Sequence, residues 1–96
     1  MATVFIPNRG AHDFTAARRW GSLIYMTEGS IDRYATSQMY RIFEGYLRNS
    51  TPDDYLLLTG LGVMNAVACG MYAHKHGRLN LLLHRDGGYV ERKMML

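Results

Sequence analysis

The stretch from Asp54 to Asp86 constrains this chain more than any other part of it. Tyr55 to Leu58 is an unbroken apolar run, short enough for a strand covered on both faces. Thr59-Gly60-Leu61-Gly62 interrupts it, and Val63 to His76 follows with apolar or small residues on most sides of a helix. Leu79 to Leu83 is again strand-like, and Arg85-Asp86-Gly87-Gly88 is a hairpin turn signal. Strand, glycine loop, helix and strand in that order predict a parallel β-α-β unit. The run from Tyr55 to Ala73 carries no formal charge and approaches spanning length, but Thr59, Gly60, Gly62, Asn65 and Gly70 break it, so no membrane span is expected.

The rest of the chain alternates in the same way. Thr3 to Ile6 is β-favouring and ends at Pro7-Asn8-Arg9-Gly10. Asp13 or Thr15 can cap a short helix through Trp20. Leu23 to Met26 reads as a second strand, ended by Thr27-Glu28-Gly29-Ser30. Met39, Ile42, Phe43, Tyr46 and Leu47 form one apolar helical stripe, with Thr36 or Ser37 as its cap and Glu44 and Arg48 as an outer i,i+4 pair. Asn49-Ser50-Thr51-Pro52 stops that helix, and Tyr89 to Met95 is the returning strand after the hairpin.

The expected order is β-α-β-α-β-α-β-β. It predicts one α/β domain over residues 1–96, a small Rossmann-like three-layer domain with a mainly parallel sheet and a C-terminal antiparallel hairpin. Gly62, Ala66, Gly70 and Ala73 form a small-residue face expected to pack closely on the sheet, and His74, Lys75 and His76 complement the negative end of their helix.

With 96 residues, the chain holds one core with little to spare, so a homodimer or higher homo-oligomer is expected. The single cysteine, Cys69, excludes an intramolecular disulfide and reads as a small buried hydrophobe. The net charge of +3 rests on nine Arg and two Lys, scattered along the chain with no dense basic run. Arg suits phosphate and carboxylate, whereas nucleic acid binding is not specifically indicated. No His or Cys spacing suggests a metal, and no cofactor is expected. The N-terminus lacks the pattern of a signal peptide, so a cytoplasmic location is expected.

In open α/β sheets, ligands bind outside the carboxyl ends of the strands. Those ends carry Asn8-Arg9-Gly10, Thr27-Glu28-Gly29-Ser30, Thr59-Gly60-Leu61-Gly62 and His84-Arg85-Asp86, a polar, anion-receiving rim, and the candidate ligand-binding residues are Asn8, Arg9, Thr27, Glu28, Arg33, Thr59, Gly60, Leu61 and Gly62. Thr59-Gly60-Leu61-Gly62 has two readings: a phosphate loop before a helix start, or a tight structural turn. Asn65 stands where a dinucleotide fingerprint has its third Gly or Ala, which argues against that class. His12 and Glu28 are the candidates if the protein is an enzyme, as a general base and a second acid/base group, although both also suit loop positions. Tyr34 lies in the long connection before the main helix, where it can stack on a base.

The stretches VFIPN, HDF, TEGSIDRY, STPDDY, LLLTG and HGRLNLLL, taken together, resemble small proteins encoded in tailed-phage genomes. That resemblance covers nearly the whole chain, implies the host cytoplasm as location, and implies no particular activity. Separately, DYLLLTGLGVMNAVACGMYAHKHG resembles the strand-Thr-Gly-helix segment of CRISPR-associated Rossmann-fold (CARF) domains. It implies a dimer that binds cyclic oligoadenylate over its strand ends, with Thr59, Gly60 and Leu61 facing phosphate. The Gly-Thr-Lys continuation of that family is absent here.

The leading expectation is a phage-type protein that binds a nucleotide or other phosphate-bearing small molecule at the strand-end rim and sequesters a signalling ligand. One alternative is a structural or interaction protein, a virion component or host-factor binder, using the apolar tail Met94-Met95-Leu96. A second is a small phosphoester hydrolase using His12 and Glu28.

Overall fold

A computed structural model describes residues 1–96. Its five strands are β1 (Thr3–Ile6), β2 (Ser22–Tyr25), β3 (Tyr55–Leu57), β4 (Arg78–Arg85) and β5 (Gly88–Met95). They are connected through a 3-10 helix (Thr15–Trp20) and two α-helices, α1 (Thr36–Leu47) and α2 (Gly62–His76). The strands form one sheet in the order β2-β1-β3-β4-β5. The first four are mutually parallel and β5 is antiparallel to β4, so the fold is a mixed α/β sheet ending in a hairpin. Asp86 and Gly87 both take positive φ, 52° and 78°, as a tight two-residue hairpin turn requires.

Side-chain alternation along β1 and β3 divides the core between the two sheet faces. Phe5 and Leu56 point to one face, where they meet Met39, Phe43 and Leu47 of α1 and Met64, Ala68 and Tyr72 of α2. Val4, Ile6, Tyr55 and Leu57 point to the other, where with Leu82 they meet Phe14, Ala17 and the half-buried Trp20 from the 3-10 region. The expected helical cover on both faces is therefore unequal: two α-helices on one side and six residues of 3-10 helix on the other. Gly21 ends the short helix where a Cβ would meet the carbonyl oxygen of Ala2 at 2.1 Å, which leaves no room for a side chain. Asp13 organises its start by accepting from the Thr15 amide at 2.9 Å.

Four local expectations are corrected. The small-residue face of α2 does not pack on the sheet: Gly62, Ala66 and Gly70 are exposed, and Met64, Ala68 and Tyr72 are the buried face. Larger apolar side chains gain more from burial, and they won the contact. Neither Thr36 nor Ser37 caps α1, whose N-cap is Ala35 with no side-chain bond. Tyr46 leaves the apolar stripe and is 43% exposed. The cations of α2 do not simply serve their own helix end: Lys75 Nζ donates to the carbonyls of Leu47 and Arg48 at the C-terminus of α1. His76 Nε2 lies 2.8 Å from Ser50 Oγ, which itself donates to Leu47 O at 2.6 Å.

The amino ends of β3 and β4 are tied by a dense polar network. Asp54, buried, accepts from Thr3 N at 2.8 Å and Thr51 N at 2.7 Å. Tyr72 Oη donates toward Thr51 O and Asp54 O, at 2.7 and 2.9 Å. Asn80 Nδ2 donates to Pro52 O and Asp54 O, both at 2.8 Å. These bonds hold the Thr51–Asp54 turn under the sheet and satisfy groups that would be costly to bury alone. No helix is long and apolar enough to cross a membrane, because the uncharged run from Tyr55 to Ala73 is divided between β3 and α2.

Candidate functional site

The carboxyl ends of the parallel strands carry two adjoining clefts. β1 and β3 are neighbours in the sheet, but the chain leaves β1 toward the 3-10 side and leaves β3 toward the α-helical side. This divergence is the position at which open α/β sheets receive ligands. A cleft of about 260 Å³ lies there, lined by His12, Asp13 and Phe14 from the loop after β1, by Leu57 to Gly60, and by His84 and Tyr89 from the hairpin. A second, more open cleft of about 350 Å³ shares His12, Asp13 and Phe14 and adds Arg9, Arg18 and Tyr25.

The first cleft is aromatic. The His84 and Tyr89 rings meet edge-on with centroids 5.7 Å apart, and the His12 and Phe14 rings meet at 6.2 Å. Burial, together with the nearby Asp13 carboxylate and Tyr25, raises the Tyr89 phenol above its ordinary value, so Tyr89 stays a neutral donor. The Asp13 carboxyl is lowered by its bonds from the Thr15 hydroxyl and amide, with help from Arg18. The second cleft supplies the cations. The Arg9 guanidinium lies 4.8 Å from the centroid of the Tyr25 ring and 3.7 Å from Glu28. That ion pair is more than half exposed on both sides and holds Arg9 only weakly.

The candidate residues fall into three groups. Asn8, Arg9, Thr27 and Glu28 are brought together, but largely to bind one another. Thr27 Oγ1 donates within reach of Pro7 O at 2.7 Å and Asn8 Oδ1 at 2.9 Å, Asn8 Nδ2 donates to Gly29 O at 3.2 Å, and Arg9 N donates to Thr27 O at 2.8 Å. Thr59 and Gly60 line the aromatic cleft, whereas Leu61 and Gly62 begin α2 outside it. Arg33 stands in an exposed turn and lines neither cleft. His12 lines both clefts, but Glu28 lines neither and pairs with Arg9.

Asn65 explains the geometry of the glycine loop. Its Oδ1 accepts from Thr59 N at 3.0 Å and its Nδ2 donates to Thr59 O at 2.8 Å. The side chain thus imitates a paired strand, and it occupies the Thr59 amide that a phosphate would need. The residue that departs from the dinucleotide fingerprint is the one that closes the loop on itself.

Phe14, Arg18 and Tyr89 join the site without having been singled out from the sequence, whereas His84, at the end of β4, stood on the expected rim and lines the aromatic cleft. Phe14 and Arg18 belong to the segment around the 3-10 helix, and Tyr89 begins a strand that reads only as the return of a hairpin. The pairing of His84 with Tyr89 across β4 and β5 brings those two rings to the cleft. Cys69 stays outside it, and burial pushes its thiol up to about 11, far from a reactive thiolate. No group of three or more His, Cys, Asp or Glu side chains is close enough to hold a metal ion.

A family model described as phage Pam3 gp32-like protein matches residues 2–95. No curated protein and no solved structure matches the chain.

Proposed function

The chain belongs to the phage Pam3 gp32-like protein family, and we propose that it binds a mononucleotide or similar phosphate-bearing small molecule at the paired clefts on the carboxyl ends of its strands. The observation that carries this reading is an aromatic cleft that opens beside a cationic one, with His12, Asp13 and Phe14 common to both. A base stacks against Phe14, Tyr89 and His84, an interaction worth about 1–3 kcal/mol. Asp13 accepts from ribose hydroxyls, and the phosphate lies toward Arg18 and Arg9, whose guanidinium groups suit it.

Size favours a small ligand. The aromatic cleft, at about 260 Å³, falls just below the roughly 300–1,000 Å³ of common ligand pockets. It suits one base, not a dinucleotide. Sequestration of a signalling nucleotide is the role such binding would serve in a phage-type protein. A Rossmann-like relationship of the sheet belongs to the same proposal. Hydrolysis by His12 and Glu28 is less well supported, since Glu28 lies at neither cleft.

Isothermal titration with the four nucleoside 5′-monophosphates and inorganic phosphate tests the reading. Saturable binding of at least one nucleotide is expected, weakened about tenfold by His84→Ala and by Arg18→Ala, in line with the loss of one stacking or one charge-assisted contact. Absence of saturation at millimolar ligand, or affinity indifferent to both substitutions, would overturn it.

A further inference from the structure

The longest free edge of the molecule belongs to β5, which pairs with β4 on one side and with nothing on the other. Its outward groups can be assigned. Leu96 N donates to Gly77 O at 2.9 Å, continuing the register in which Met95 faces Arg78. Antiparallel ladders alternate, so Met94, Arg92 and Val90 direct their amides and carbonyls to β4. Those of Tyr89, Glu91, Lys93 and Met95 face the open edge. The strand's end is apolar and uncovered, with Met95 77% and Leu96 73% exposed.

We propose that this edge docks a second copy of the same chain, β5 against β5, around a twofold axis at Arg92. In a twofold antiparallel pair, the hydrogen-bonded positions must be outward-facing on both strands. A register centred on Glu91 sets carboxylate against carboxylate, and one centred on Lys93 sets ammonium against ammonium. Centring on Arg92 sets Glu91 of each copy opposite Lys93 of the other, and Val90 opposite Met94. It also sets Tyr89 opposite Met95 of the second copy and uses the strand from Tyr89 to Met95, with about eight interchain hydrogen bonds. Of these three registers, this is the one with complementary charge.

The same geometry shows what opposes docking. The Arg92 guanidinium donates to Glu91 O at 2.8 Å, covering one of the outward carbonyls. Docking displaces it and brings two Arg92 side chains together at the axis, so pairing is reversible and depends on concentration and salt. Docking would also set Met95 of the second copy beside Tyr89, a wall of the aromatic cleft.

Sedimentation equilibrium on the full chain tests the proposal without any ligand. Wild type is expected to show a monomer–dimer equilibrium. Lys93→Glu alone and Glu91→Lys alone should each weaken it at least about tenfold, while an equimolar mixture of the two should dimerise as a heterodimer. Arg92→Thr should tighten the dimer, since it frees the Glu91 carbonyl and removes the like-charge pair. Circular dichroism establishes that each variant is folded. A wild type that stays monomeric at millimolar concentration overturns the proposal. So does a dimer indifferent to the single charge reversals, or a mixture that fails to associate.

Discussion

At the amino ends of β3 and β4, the Asp54 carboxylate, the Tyr72 hydroxyl and the Asn80 Nδ2 amide are buried and bonded to backbone partners, while Asn80 Oδ1 is buried without one. At the carboxyl ends of the parallel strands, His12, Arg18, His84 and Tyr89 line open clefts with their side-chain hydrogen-bonding atoms uncommitted. Polar residues populate both ends, but one end fastens the fold and the other leaves its chemistry free. The contrast follows from what each end must close. The amino ends meet the Thr51–Asp54 turn, whose backbone groups need partners under the sheet. The carboxyl ends diverge to opposite faces, and the gap between them cannot be filled by backbone.

Three substitutions break or sharpen this contrast. Asp54→Ala has the largest expected effect, since it removes a buried carboxylate that accepts from the amides of both Thr3 and Thr51. Urea denaturation should show a loss of about 3 kcal/mol, while nucleotide affinity of the folded fraction is unchanged. Asn65→Gly follows. It should cost about 1–2 kcal/mol by removing the bonds to Thr59. If the freed Thr59 amide then donates to phosphate, titration will show tighter binding of inorganic phosphate; unchanged binding leaves the loop as a structural turn.

The smallest effect is a pH dependence at the fastened end. Burial, and then the charge of Lys75, lower the His76 imidazole below its ordinary value, with Asp54 opposing. A histidine lowered on folding binds more protons when unfolded, so stability rises with pH in that window. His76 thus contributes stability that is fully present above the ordinary histidine value of 6.5 and declines as pH falls through it toward the folded value. Denaturation midpoints between pH 7.5 and about 5 should fall less steeply in His76→Gln than in wild type. An identical slope in the two proteins would remove His76 from the account.

The elements were largely legible because local pattern encodes them. The apolar run before Thr59 became β3, the stripe from Met39 to Leu47 became α1, and the Asp86-Gly87 pair became the hairpin turn. The site was legible in place but not in membership. Arg9, His12, Thr59, Gly60 and His84 were marked by position at or after a strand end, which is a local property. Phe14, Arg18 and Tyr89 were not, because they join the clefts only through packing of distant segments.

Sequence by itself determined the alternation of strands and helices, the hairpin, and the polar character of the strand ends, since each depends on periodicity and turn chemistry within a few residues. Only the tertiary structure decided that Asn65 closes the glycine loop, that Asn8 and Thr27 bind one another, and that His84 and Tyr89 stand over the same cleft as His12. Those outcomes depend on which groups find partners across the sheet. A side chain's availability for a ligand is what remains after that competition for hydrogen bonds and burial is settled.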